Sequence, residues 1–153
     1  MLSKFSFRSS IILTIFFALS SMMAMSQSNH VKARAKNSIH RVVVQMSTSD
    51  TAGQRGIINN IRALKETWGD SVQVEMVVHG QGFGFVLKEK SNFPNEIAAM
   101  MKQEVKFVLC RNTMKHNHIS EDQVLGGVGF VPSGVVELVL KQEQGWSFLK
   151  AGF

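Results

Sequence analysis

Short apolar runs alternate along this chain with longer segments whose apolar residues recur at helical spacing. Arg41-Val42-Val43-Val44-Gln45-Met46 is β-branched and almost continuously apolar, the pattern of a buried strand ending near Ser47. Ser47-Thr48-Ser49-Asp50 supplies residues that cap helices. Ile57, Ile61, Leu64 and Trp68 then recur at spacings of four, three and four, which predicts a helix over 51–68 closed by Gly69-Asp70. A second strand is read over 72–78, ending at His79-Gly80. The glycines at 80, 82 and 84 turn the chain into a short helical segment through Phe85, Val86 and Leu87. Pro94 can open a helix whose apolar face is Ile97, Met100 and Met101, up to Gln103. A third strand follows over 105–110, then a short helix capped by Ser120-Glu121-Asp122-Gln123. Residues 128–131 form a fourth, short strand. Pro132-Ser133-Gly134 leads into a helix over 135–144 ended by Gly145, and 146–150 closes as an edge strand.

Strands alternating with helices at this spacing predict an α/β fold, with a mostly parallel five-stranded sheet and helices on both faces. No internal repeat, low-complexity tract or second domain interrupts the pattern.

Composition then trims the chain. Its 153 residues, 44% hydrophobic, suffice for one domain with a sizeable core. Lys4 and Arg8 precede an apolar run from Ile11, and Ala24-Met25-Ser26 fits a small-x-small cleavage site. Residues 1–26 therefore read as a secretory signal peptide. The run is shorter than the roughly 20 residues that span a bilayer, so no membrane anchor is expected once the leader is removed. Residues 27–39 form a polar, basic lead-in, and 40–153 the folded domain. The leader holds two basic residues and no acidic ones, leaving +4 of the chain's +6. Much of that charge lies in the lead-in, where a solvated tail accounts for it. Export to the periplasm or beyond argues against nucleic acid as a partner. Of nine methionines four sit in the leader, and the rest read as core filler rather than a copper-binding tract.

The candidate chemistry centres on the one cysteine. Cys110 ends the third strand and cannot form an intramolecular disulfide. At the carboxyl end of a strand in an open α/β sheet it occupies the position where ligands usually bind. The free amides of Arg111, Asn112 and Thr113 would favour a thiolate there, with Arg111 adding charge if its side chain turns inward. Such a thiolate can attack sulfur, hold it as a persulfide, or bind a soft metal. Copper(I) held by Cys110, Met114, His116 and His118 is one alternative, though the spacing fits no metal signature. The glycines from Gly80 follow the second strand rather than the first and lack dinucleotide-binding spacing. No nucleotide, flavin or zinc motif is present, so no cofactor is expected.

Phe107-Val108-Leu109-Cys110 followed by Asn112-Thr113-Met114 resembles the DsrE/DsrF-like family. So do Val131-Pro132-Ser133-Gly134-Val135-Val136-Glu137-Leu138, with Gln142 and Gly145-Trp146 beyond it, and His79-Gly80-x-Gly82. The likeness covers roughly residues 40–150. It implies a three-layer α/β/α fold related to flavodoxins and assembly as homo-trimers or hexamers. It also implies, from the family's sulfur-relay members, a persulfide carried on Cys110 and a sulfur donor or acceptor protein as partner. A flavodoxin-like 2-1-3 strand order would separate the ends of the second and third strands by roughly 9–10 Å, two strand spacings. His79 and Cys110 would then face each other across Ser47-Thr48, leaving His79 a pocket wall or subunit contact more than an activating base. No acid stands behind it to make a hydrolase-type pair. The glycine-rich segment 80–85 is expected to be exposed and to take part in assembly.

Two function classes remain open. The first is an exported thiol-based sulfur carrier or sulfur-binding protein, with Cys110 as nucleophile, His79 its neighbour, and Arg111, Asn112, Thr113, Ser47, Thr48, Gly80 and Gly82 lining the ligand site. If active, it would transfer sulfur rather than act as a hydrolase or oxidoreductase. The second is a non-enzymatic oligomer that binds a small ligand or serves a structural role, its cysteine incidental.

Overall fold

A computed structural model describes residues 39–151; the expected signal peptide and nearly all of the lead-in lie outside the described residues. Five strands, β1 (His40–Met46), β2 (Val72–Val78), β3 (Lys106–Cys110), β4 (Gly129–Val131) and β5 (Ser147–Lys150), form one sheet. All its pairings are parallel, in the order β4-β3-β2-β1-β5. Four helices join them: α1 (Thr51–Trp68), α2 (Pro94–Lys102), α3 (Arg111–His116) and α4 (Gly134–Glu143). A 3₁₀ segment over Gly80–Val86 follows β2, and another over Glu121–Gln123 carries the expected capping box.

The five-stranded parallel α/β sheet is as expected, but its strand order is not the expected 2-1-3. From β1 to β4 the chain advances one strand at a time in a single direction. Right-handed crossovers then put α1, α2 and α3 on the same face. Only the connection from β4 to β5 travels back across the sheet, so α4 lies alone on the opposite, return face.

On the crowded face, Val42, Val44, Met46, Val74, Met76, Val78, Phe107 and Leu109 pack against Ile57, Ile58 and Ile61 of α1, Ile97 and Met100 of α2, and Met114 of α3. Each fully buried aliphatic side chain contributes roughly 1.5–3 kcal/mol. Asp50 caps α1 by accepting from the Ala52 and Gly53 amides, and Pro94 opens α2. Trp68, the last residue of the predicted stripe, stays partly exposed and stacks on His40 at 4.0 Å.

The return face has a thinner cover. Leu138 of α4 packs on Val43 and Val77, with Val108 and Trp146 at the margin. Beside them Lys141 Nζ reaches the buried Glu75 at 2.6 Å and Glu137 at 3.5 Å, over the Trp146 ring. Val135, Val136, Val139 and Leu140 of α4 point outward, 44–60% exposed.

The turn after β2 is seated by two devices. Phe85 enters the core against Phe93 and Phe107, at ring distances of 5.9 and 6.4 Å. Gly82 lies on the end of β1, where a Cβ would come within 2.4 Å of the Met46 carbonyl oxygen. Within 80–85 only Gly80 and Gln81 are exposed. The turn is therefore packed into the domain rather than exposed as expected, and an exposed apolar surface lies on α4.

Candidate functional site

Cys110 ends β3, an interior strand lying beside the short edge strand β4. It is also the N-cap residue of α3, and only 5% of it is exposed. Its side chain closes no tight capping bond. Burial alone would raise the thiol pKa. The Gly134 amide, the Thr113 amide and hydroxyl, and the Asn112 amide all reach toward the sulfur and outweigh that cost, holding the thiol below the ordinary cysteine value. These are loose N–H···S and O–H···S contacts to a large polarisable atom. At six residues α3 is too short for much of a macrodipole, so the local amides carry the effect.

His79 stands next to this sulfur. Because β2 is the immediate neighbour of β3, with Val78 opposite Leu109, the residue after Val78 falls beside Cys110. One strand spacing separates the two rather than two, which overturns the expectation of distance across Ser47-Thr48. Gly134 marks the meeting point. A Cβ built there would lie 3.0 Å from His79 Cβ and 3.3 Å from Cys110 Cβ. A side chain there would crowd both, so glycine lets the start of α4 approach histidine and cysteine closely.

Gln45, on the return face of β1, orients the imidazole. Its Nε2 lies 3.0 Å from His79 Nε2 and 3.4 Å from Ser47 Oγ. An amide nitrogen serving both is the donor, so His79 Nε2 accepts and the ring proton sits on Nδ1. Burial lowers the His79 pKa and favours this neutral form. The His79 amide in turn donates to Met46 O at 3.0 Å, fixing the end of β2 to the end of β1.

The remaining expected residues divide. Gly80 donates its amide to Thr113 Oγ1 at 3.0 Å, with its own φ at +53°. Gly82 seats the turn, and Ser47 touches the site through Gln45. Thr48 stands apart: its hydroxyl accepts from the Asp50 amide and its carbonyl from Gln54, so it belongs to the start of α1. Asn112 contributes its amide while its side chain is exposed. The Arg111 side chain turns away, bonding Glu121 at 2.8 Å and stacking on Phe130, so its charge is already partnered there. The copper set is not assembled either. Met114 is buried on the crowded face, Cys110 is on the return face, and His116 and His118 are exposed. Among the described residues no cluster of three His, Cys, Asp or Glu side chains could hold a metal ion.

Gln45 and Gly134 are the members that sequence reasoning assigned no role. A lone glutamine in the run Val42-Val43-Val44-Gln45-Met46 was one available signal; a small residue opening the helix after β4 was the other. A cavity of about 950 Å³ between α1 and α2, lined by residues such as Arg62, Asp70, Glu96 and Glu104, lies at the opposite, amino-terminal end of the strands and touches none of this chemistry.

The pattern that defines the DsrE/DsrF-like family matches residues 23–151. Among solved structures, MTH1491 from Methanobacterium thermoautotrophicum, described as a protein of unknown function, is 29% identical with a TM-score of 0.69. That match covers 72% of this chain and 98% of the other. The ychN protein of E. coli is similar in fold at 16% identity and a TM-score of 0.60, over 72% of this chain and 97% of that one. BT1422 from Bacteroides thetaiotaomicron shares the fold at 9% identity and a TM-score of 0.56, over 72% and 93%. No protein among those with curated descriptions matches the chain.

Proposed function

This chain belongs to the DsrE/DsrF-like family, and we propose that it is an exported, thiol-based sulfur carrier that accepts a sulfane sulfur on Cys110. The observation that supports this reading is the setting of the Cys110 sulfur, nearly buried under the Asn112, Thr113 and Gly134 amides with neutral His79 alongside. Amides aimed at sulfur stabilise the anion that must attack, and they equally suit the anionic persulfide that results.

The transfer balances without an external oxidant or reductant. The Cys110 thiolate attacks the outer sulfur of a donor persulfide R–S–SH. The new S–S bond forms as the donor's S–S bond breaks, giving Cys110–S–SH and R–S⁻, and the leaving thiolate takes a proton from solvent. Delivery to an acceptor thiolate is the same exchange in reverse.

The reading is tested by intact mass after incubation with a small persulfide, comparing wild type with Cys110→Ser. A gain of one sulfur atom, lost on reduction and absent in the variant, is the expected result. The competing reading, an assembly or ligand-binding protein with an incidental cysteine, draws on the 5% exposure of Cys110. An unmodified thiol in folded protein, with assembly unchanged in Cys110→Ser, would favour it.

A further inference from the structure

The Thr113 side chain reaches toward the Cys110 sulfur and also bonds the glycine turn, so it links two elements of the site. Thr113 is the third residue of α3, one turn from the N-cap residue Cys110, the two positions whose side chains meet across a helix's first turn. Its Oγ1 accepts the Gly80 amide proton at 3.0 Å. A hydroxyl that accepts at one lone pair still holds its own proton, and acceptance polarises that proton for donation. Thr113 is only 8% exposed, so water competes little for either bond.

Resting on the carrier reading, we propose that Thr113 is a positioning residue through which the glycine turn sets the state of the thiol. Its hydroxyl takes the Gly80 N–H and gives its own O–H to the Cys110 sulfur. The consequence is coupling. The Gly80–Val86 segment is a seven-residue 3₁₀ run, longer than such runs usually are, and held by the Gly82 contact and Phe85. Displacing it frees the Thr113 hydroxyl from Gly80 and weakens the donor aimed at sulfur, so the turn and the thiolate rise and fall together.

The test is the pH dependence of Cys110 alkylation by iodoacetamide in the full chain, with Thr113→Val, Thr113→Ala and Thr113→Ser beside wild type. Thermal melts establish that each variant is folded. Valine keeps the volume and removes the hydroxyl. If it does not fold, alanine carries the comparison, because it leaves only a small void. Loss of one charge-assisted donor predicts about a tenfold slower reaction at neutral pH, with the profile moved to higher pH. Serine, which keeps the hydroxyl, should stay within about twofold of wild type. A merely structural threonine would alter melting without moving the profile, and an unmoved profile in the hydroxyl-free variants overturns the proposal. So does a serine variant as slow as alanine. Sulfur loading followed by mass in the same samples separates the two claims. A shifted profile with no loading in wild type keeps the Thr113 role and removes the carrier reading; loading with an unshifted profile does the reverse.

Discussion

Replacing Gly82 with alanine tests whether the turn after β2 is locked to the sheet by close approach. The added Cβ would lie 2.4 Å from Met46 O, 2.8 Å from Met46 C and 3.1 Å from Ser47 Cα, all backbone atoms that cannot swing aside. Relief requires the turn to lift from β1. Met46 O is also the acceptor for the His79 amide at 3.0 Å, so lifting strains the bond that places the histidine. Overpacking of this kind costs about 1–3 kcal/mol, and a weakened hydrogen bond adds about 1 kcal/mol. The expected loss is therefore about 2–4 kcal/mol, a fall in Tm on the order of 10 °C for a domain of this size. Gly84→Ala is the matched control in the same segment. Its nearest neighbour would be Lys90 Cβ at 3.7 Å, ordinary contact, and the change should stay within about 0.5 kcal/mol. Urea unfolding followed by tryptophan fluorescence compares the two. Equal midpoints for both variants would refute the close-approach argument.

Two further outcomes follow from features already described. Burial holds the folded His79 pKa below 6.5, its ordinary value, so the unfolded chain binds the extra proton first as pH falls. Stability linked to His79 is complete above pH 6.5 and is lost as pH drops through the folded value. Urea midpoints between pH 7.5 and 5 should therefore decline less steeply in His79→Gln, and parallel slopes would show that the imidazole is not the group responsible. On the return face, Val135, Val136, Val139 and Leu140 present an apolar surface that we propose is covered by further copies of this chain. Light scattering should give a multiple of the chain mass that falls to one chain in Val136→Lys/Val139→Lys; a single-chain mass for wild type removes the proposal.

Much of the fold could be read from the sequence because its local signals agree. The β-branched runs at β1 and β2, the Asp50 cap and Pro94 each specify an element without help from distant residues. Strand order was not legible, since a crossover of the same length can step to either side of the preceding strand. The expected distance between His79 and Cys110 failed on that point alone. Cys110 itself was legible, as a thiol ending an apolar run. The direction of Arg111 was not, because Glu121 and Phe130 decide it. Gly134 acts through a missing atom, and its two neighbours come from strands far away in the chain.

The lone helix on the return face also bears on how the protein matures. Val42 pairs with Ser147, so the β1–β5 ladder joins opposite ends of the described chain. Contacts of such sequence separation form late, after the one-strand steps from β1 to β4 have closed their smaller loops. The α4 segment belongs to that late closure, and it delivers the Gly134 amide to the sulfur. A partly folded chain would thus carry a cysteine with an incomplete set of thiolate-stabilising donors. The set that stabilises the thiolate would be complete only once α4 and β5 have docked.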